Sequence, residues 1–91
     1  MKPFFVYMLK CKDGSYYIGH TDDIERRIAE HNDGNVKGYT QTRLPVTIAY
    51  SKDFATRDEA IIVERQIKGW SRKKKEALIY EDWKKIQELS N

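Results

Sequence analysis

Residues 4–19 read FFVYMLKCKDGSYYIG and predict a β-hairpin. Every position from Phe4 to Leu9 is apolar, which is typical of a strand that is buried on both faces and lies centrally in its sheet. Asp13-Gly14 favours a tight reversal, and Tyr16-Tyr17-Ile18-Gly19 supplies residues that favour a second strand. We therefore expect two neighbouring antiparallel strands, the first of them central.

The segment after the hairpin predicts a helix followed by a long loop. Thr21 or Asp22 can cap a helix in which Ile24 and Ile28 lie four residues apart, on one face. The pattern stops near residues 32–34, and the segment from Asp33 to Pro45 is polar and includes Gly34 and Gly38, as expected for a loop.

The remainder of the chain predicts one more strand and three helices. Val46, Ile48 and Tyr50 alternate with Thr47 and Ala49, which indicates a third strand with one buried face. Residues 56–59, TRDE, form a capping box that begins a second helix. Ser71 can cap a third, basic helix, and the apolar residues beyond position 82 predict a fourth. The order β-β-α-β-α-α-α predicts an α+β fold.

Length and composition indicate one domain over residues 1–91. The chain is 40% hydrophobic and 34% charged, which suits a globular core and is too polar for a membrane protein. The longest apolar run ends at Leu9, well short of a membrane span, so we expect no membrane association. A single cysteine, Cys11, is typical of a reducing compartment, and we expect a cytoplasmic location.

The net charge of +3 is modest, but the basic residues are clustered. The candidate phosphate contacts are Lys68 and the run Arg72, Lys73, Lys74 and Lys75, together with Lys37 and Arg43 in the loop. The alternative for the run is a solvated helix face.

The second helix carries an acid among its core-facing residues. Ala60, Val63, Glu64 and Ile67 have the i, i+3, i+4, i+7 spacing of one apolar stripe. A buried carboxylate needs a cation, a metal or hydrogen bonds to compensate it. Glu64 is therefore either a functional acid or the edge of the stripe, where it reaches water.

Two polar side chains of the first helix lie beside its isoleucines. Arg27 and His31 are four residues apart; a guanidinium suits phosphate and an imidazole exchanges a proton near neutral pH. The alternatives are an arginine extended to the surface and a histidine satisfied locally. With Tyr7 and Tyr17 on the adjacent strands, these residues and Glu64 would form an acid–base and phosphate site.

Together, these residues resemble the GIY-YIG nuclease family, and particularly its small stand-alone members. The resemblance rests on Phe5-Val6-Tyr7, Tyr17-Ile18-Gly19, Arg27, His31 and Glu64, in that order. It extends from about Phe4 to about Ile79 and leaves residues 80–91 as a C-terminal helical extension. It implies a three-stranded antiparallel sheet flanked by helices, and hydrolysis of DNA phosphodiesters with one divalent metal.

The resemblance also implies a role for each matching residue. Glu64 would bind Mg²⁺ or Mn²⁺, and Arg27 would hold the scissile phosphate. Tyr17 would position or deprotonate the attacking water, with Tyr7 as a supporting hydroxyl. His31 would orient the phenol or relay its proton, and it would be the base itself if Tyr17 lay too far from the metal and from Arg27.

The sequence departs from the family pattern in three places. The first motif, Phe5-Val6-Tyr7, lacks the glycine, and His20 follows the second motif where some relatives have lysine. Many relatives have an asparagine on a helix after the metal-binding glutamate, whereas here the next asparagine is Asn91. A Lys or Glu between positions 73 and 76 could substitute for it.

The sequence therefore predicts a metal-dependent DNA endonuclease, selective for structure rather than sequence, that acts in DNA repair or processing, alone or with a repair complex. One alternative is a nucleic-acid-binding accessory module that cleaves poorly. Another is a protein-interaction domain with Trp70, Trp83 and the C-terminal segment as its contacts.

Overall fold

The computed structural model describes residues 2–90 and contains three strands and four α-helices. In chain order these are β1 (Phe4–Lys10), β2 (Tyr16–Thr21), α1 (Ile24–Asn32), β3 (Thr47–Phe54), α2 (Arg57–Lys68), α3 (Arg72–Ile79) and α4 (Trp83–Leu89). A 3₁₀ helix, Tyr39–Thr42, lies within the loop between α1 and β3. This confirms the predicted α+β fold and its element order.

The three strands form one antiparallel sheet in the order β2-β1-β3. β1 is therefore central, as its continuous apolar run predicts. In the register of the hairpin, Tyr7 lies opposite Gly19 and Leu9 lies opposite Tyr17. β2 is an edge strand, so side chains from both faces of the sheet can meet beyond it.

Alternate side chains of β1 enter two separate apolar clusters, one on each face of the sheet. Val6 and Met8 pack with buried residues of α2 and α3; we call this side the α2 face. Tyr7 and Leu9 pack with Ile28 of α1 and with the loop that precedes β3; we call this side the α1 face. Covering both faces explains why β1 has no polar alternation.

The predicted buried face of β3 is wrong. Val46 is buried on the α1 face just before the strand begins, Tyr50 packs on the α2 face, and Ile48 is 45% exposed. The register explains the difference, because Met8 pairs with Tyr50 and Leu9 pairs with Ile48, so Ala49 is an extra residue. Such a β-bulge breaks the two-residue alternation on which the prediction rested.

Helix caps agree closely with the sequence signals. Thr56 accepts a hydrogen bond from the Glu59 amide at the start of α2, and Ser71 accepts one from the Lys74 amide at the start of α3. The cap of α1 is Asp23 rather than Thr21 or Asp22. Thr21 instead accepts a hydrogen bond from the Asp23 amide and fixes the entry into the helix.

Of the helices in residues 2–90, none combines the length and apolar character that crossing a bilayer requires.

Candidate active site

Strand pairing brings the two predicted tyrosines together on the α1 face. The ring centroids of Tyr7 and Tyr17 are 6.3 Å apart. The ring of Tyr7 lies directly over Gly19, where an added Cβ would be 2.5 Å from the Tyr7 hydroxyl oxygen. An added Cβ would force the Tyr7 ring to shift, so the close approach of Tyr7 favours glycine at this position of the second motif.

His31 joins the tyrosines from α1. Its Nε2 lies 3.1 Å from the Tyr7 hydroxyl, its Nδ1 lies 2.8 Å from Thr40 Oγ1, and its ring centroid is 5.1 Å from that of Tyr17. Burial, with the charge of Arg27, holds the pKa of His31 below its ordinary value, so the ring is neutral at pH 7. A neutral imidazole has one donor and one acceptor nitrogen, so one hydroxyl donates to the ring and the other accepts from it.

Thr40 is a site residue that sequence reasoning missed. It lies in the 3₁₀ helix and is buried beside His31. In the sequence it is one of several hydroxyl residues in a polar loop, and nothing local distinguishes it. Only the fold of the loop over α1 shows that its hydroxyl lies within hydrogen-bond distance of His31 Nδ1.

Arg27 extends from α1 toward Tyr7. Its Nε is buried, and within residues 2–90 that atom has no hydrogen-bond partner, while its guanidinium forms a 3.4 Å ion pair with Glu30. Burial raises the pKa of Tyr7 to about 12, and the neighbouring Arg27 guanidinium only partly opposes this rise. Tyr7 is therefore a neutral phenol at pH 7, held between an imidazole and a cation.

Tyr7, Tyr17 and His31 form a group that we call the tyrosine–histidine cluster. Tyr17 is its most accessible member. Tyr7 is 1% exposed and His31 is fully buried, whereas Tyr17 is half-buried. Tyr39 stacks on Tyr17 with a centroid separation of 6.4 Å. Tyr17 is therefore the member of the cluster that a substrate can reach, at a position bordered by Tyr39.

Glu64 lies on the opposite face of the sheet. It is 9% exposed; Lys68 Nζ lies 2.7 Å from Oε2, and His20 Nδ1 donates to Oε1 at 2.5 Å. Burial alone would raise the pKa of Glu64, but Lys68 and His20 outweigh it and hold the pKa below its usual value. Glu64 is therefore ionised and compensated by partners; it does not lie at a water-exposed stripe edge.

A cavity at the end of β2 is lined by Arg27, but not by Glu64, Tyr7, Tyr17 or His31. Its volume is about 270 Å³, and its lining includes His20 from the Glu64 side and Arg27 from the tyrosine side. Within residues 2–90, Glu64 makes no hydrogen bond or ion pair to Tyr7, Tyr17, Arg27 or His31, but its charge contributes to the raised pKa of Tyr7. The predicted site residues thus surround the edge of β2 from both faces of the sheet.

The carboxylate chemistry fits one divalent metal with a sparse set of protein ligands. In the described part of the chain, no three His, Cys, Asp or Glu side chains cluster as a complete metal site. Mg²⁺, however, is commonly bound by one or two carboxylates together with waters and substrate phosphates. Glu64, ionised and beside the cavity, can supply such a carboxylate once Lys68 releases one of its oxygens.

The predicted phosphate contacts differ in how they are held. Lys68 is paired with Glu64, and Arg72 is paired with Glu76 and donates to the Gly14 carbonyl oxygen. Lys74 lies 4.2 Å from the ring centre of Trp70. The helix that carries Arg72–Lys75 packs on the α2 face, away from Tyr17.

The two loop residues of that set also differ. Arg43 is paired with Asp13 and stacks 3.9 Å from the ring centre of Tyr39, so it supports the wall beside Tyr17. Lys37 is exposed. Lys37, Lys73 and Lys75 make no ion pair to any other residue between 2 and 90.

The chain is similar to several curated proteins over most of its length. A UPF0213 protein of Staphylococcus saprophyticus is 47% identical over 81 residues, covering 89% of this chain and 99% of that protein. A UPF0213 protein of Streptococcus pneumoniae is 45% identical over 78 residues, covering 86% of this chain and 79% of that protein.

Two solved structures have a similar fold. The solution NMR structure of the UPF0213 protein BH0048 from Bacillus halodurans is 41% identical, with a TM-score of 0.56, covering 86% of this chain and 83% of that chain. The solution NMR structure of the protein EF2693 from E. faecalis is 38% identical, with a TM-score of 0.62, covering 89% of this chain and 86% of that chain. The GIY-YIG catalytic domain matches residues 3–77, a range that contains Tyr7, Tyr17, Arg27, His31 and Glu64. The chain therefore belongs to the GIY-YIG catalytic-domain family.

Proposed function

We propose that the protein is a metal-dependent endonuclease that hydrolyses DNA phosphodiester bonds. The GIY-YIG domain is a nuclease domain, which supports a nuclease-type function. The observation that carries the proposal is the cavity at the end of β2, where Arg27, beside the tyrosine–histidine cluster, and His20, the hydrogen-bond partner of the ionised Glu64, line the same space. A binding module or an interaction domain does not require a guanidinium, a tyrosine–histidine cluster and an ionised carboxylate around one strand edge.

Arg27 holds the scissile phosphate in this proposal. Its guanidinium is permanently charged and planar, and its buried Nε has no partner within the described residues. Arg27 also lines the cavity and its side chain is 35% exposed, so the guanidinium can reach a phosphate oxygen there. The same cation would stabilise the charge that develops on the phosphate oxygens in the transition state.

Tyr17 positions or deprotonates the attacking water. It is accessible, whereas His31 is fully buried with both ring nitrogens engaged, so His31 has no path to a substrate water. A free phenol has a pKa of about 10, so cationic neighbours are needed to favour phenolate near pH 7. Tyr7 and His31 act through packing and hydrogen bonds as positioning residues.

Glu64 would hold the divalent ion, Mg²⁺ or Mn²⁺. When bound, the metal would neutralise charge on the phosphate and its leaving oxygen. Lys68 is half exposed and flexible, so its side chain can leave Oε2 without disturbing the core. His20 keeps the carboxylate oriented through Oε1.

The substrate proposed is DNA that is branched, flapped or damaged, in repair or processing, alone or beside a repair-complex partner. Cations without acidic partners, whether exposed or half-buried, support contact with the phosphate backbone, and such contacts carry no sequence information. Lys37, Lys73 and Lys75 are the members of the predicted set that are free for this role within the described chain.

One observation favours an accessory binding module as the second candidate. Both oxygens of Glu64 are already compensated by Lys68 and His20, so the buried carboxylate is stable in the fold without a metal. For the interaction-domain alternative, Trp83 is available to a partner because it is 57% exposed. Trp70 is not, because it packs against the core of the α2 face.

The test is cleavage of a labelled panel of duplex, single-stranded, flap and four-way-junction DNA with Mg²⁺, with Mn²⁺ and with chelator. Glu64→Gln and Tyr17→Phe should lose metal-dependent cutting and keep DNA affinity. Glu88→Gln and Tyr80→Phe are matched controls, because both side chains are exposed and neither lines the cavity. Binding without cutting by the wild type would favour the accessory module; cutting by Glu64→Gln would contradict the role of the carboxylate.

A further inference from the structure

The cavity at the end of β2 contains arginines that no sequence motif singled out. Besides Arg27, it is lined by Arg26 of α1 and by Arg57, the first residue of α2. The three guanidinium groups come from two helices on opposite faces of the sheet. They meet here because β2 is an edge strand and leaves its outer side uncovered.

The acids around the cavity do not balance these arginines. Arg26 pairs with Asp22 at 3.2 Å, and Arg27 pairs with Glu30 at 3.4 Å. Arg57 has no carboxylate within 4.0 Å among residues 2–90, so the cavity has an excess of positive charge. Asp22 and Glu30, which also line the cavity, offset two of the three arginines, so one positive charge remains to attract an anion.

The geometry of Arg57 suits a phosphate. Its guanidinium carbon lies 5.2 Å from the ring centre of Phe4, another residue of the cavity wall. Stacking on an aromatic ring restricts the orientation of the guanidinium and leaves its N–H groups at the edges available. A planar fork of this kind can hold two phosphate oxygens at once.

We propose that Arg57, assisted by Arg26, binds a backbone phosphate of the DNA strand next to the phosphate held by Arg27. The inference rests on the proposed function, because Arg27 is placed on the scissile phosphate there. A polynucleotide carries its phosphates at regular short intervals, so a strand that enters the cavity presents two successive anions to two walls. Arg57 thereby fixes the position of the strand over the edge of β2.

The experiment is equilibrium binding of a short fluorescein-labelled DNA duplex in chelator, over a range of salt concentrations. The variants are Arg57→Gln, Arg57→Lys and, as matched control, Arg65→Gln. Arg65 is an exposed arginine of the same helix that makes no ion pair within the described chain and does not line the cavity. Thermal unfolding of each variant checks that the fold is retained.

We expect Arg57→Gln to lower the slope of log affinity against log salt by about 0.9, the value for one lost phosphate contact. The ratio of wild-type to variant affinity should then grow about eightfold between about 1 M and about 0.1 M salt. Arg57→Lys should keep most of the slope because it keeps the charge, and Arg65→Gln should keep all of it.

The inference is overturned if Arg57→Gln has the wild-type slope, if Arg65→Gln loses as much as Arg57→Gln, or if the wild type does not bind the duplex. Because the assay contains chelator, it is independent of cleavage. A protein that never cuts but shows the Arg57-dependent slope would overturn the nuclease and keep the phosphate site. If the wild type cuts DNA and Arg57→Gln has the same salt slope as the wild type, the phosphate site is overturned and the nuclease proposal is retained.

Discussion

The packing of Tyr7 illustrates how single residues determine this site. Its ring occupies the space above Gly19, its hydroxyl meets His31, and Arg27 lies beside it, yet it is 1% exposed. A tyrosine in this position cannot contact DNA directly. Its contribution is to hold the imidazole and the guanidinium around Tyr17 in fixed positions. Substitutions that displace Tyr7 should therefore affect function as well as stability.

Gly19→Ala should therefore be destabilising, with a loss of about 1–3 kcal/mol, because the new methyl group would overlap the Tyr7 hydroxyl. Displacement of Tyr7 should also disrupt its contact with His31. Gly69→Ala is the matched control: its added Cβ would lie 3.5 Å from the nearest atom, an ordinary contact. Urea unfolding measures both free energies; equal stability of the two variants would show that Tyr7 moves aside without cost.

At the level of elements, α2 supplies both Glu64, the proposed metal ligand, and Arg57 of the cavity. Arg57 lies in its first turn, Glu64 in its middle and Lys68 at its end. The spacing of these residues is set by the helix alone, but their placement against β2 depends on where the helix begins. The Thr56 cap fixes that starting point, and Ala60 and Ile67 fix the buried side.

Thr56→Ala should lower the free energy of unfolding by about 1 kcal/mol, because the Glu59 amide loses its hydrogen-bond acceptor. Thr42→Ala, at an exposed threonine outside any cap, should change it by less than about 0.5 kcal/mol. Chemical denaturation of the two variants side by side measures the difference. If they lose the same amount, the cap does not contribute to the stability of α2.

For the whole molecule, the sheet separates the tyrosine–histidine cluster from the basic helix α3. Tyr17 and its neighbours lie on the α1 face, and the basic helix α3 lies on the α2 face. A DNA strand over the edge of β2 would lie between these regions. The total charge of +3 says little about this arrangement, because ion pairs already use several of the basic residues.

Replacing both Lys73 and Lys75 with Gln should weaken binding to all DNA sequences alike and lower the salt slope by up to about 1.8, the value for two phosphate contacts. Lys52→Gln with Lys84→Gln is the control, since it removes the same charge from exposed positions outside the basic run. Salt titrations of binding on two unrelated sequences give the slopes. A slope equal to that of the wild type would place α3 outside the DNA footprint.

Local interactions explain what could be predicted from the sequence alone. The hairpin, the central position of β1, the caps at Thr56 and Ser71, and the identity of the family depend on neighbouring residues and short motifs. The β-bulge at Ala49 could not be predicted, because it depends on pairing with a strand about forty residues earlier in the chain.

The sequence by itself thus determined the types of the elements and the residues that are able to carry out the chemistry. Only the tertiary structure decided where those residues lie: Tyr7 against His31, 24 residues away; His20 against Glu64, 44 residues away; and Thr40 beneath the imidazole. It also decided that Glu64 and Tyr17 lie on opposite faces of the sheet, and that Arg57 joins Arg27 in one cavity. The physical reason is that propensities, caps and periodicities act within a few residues, whereas burial, pKa shifts and cavities depend on contacts between elements that only packing brings together.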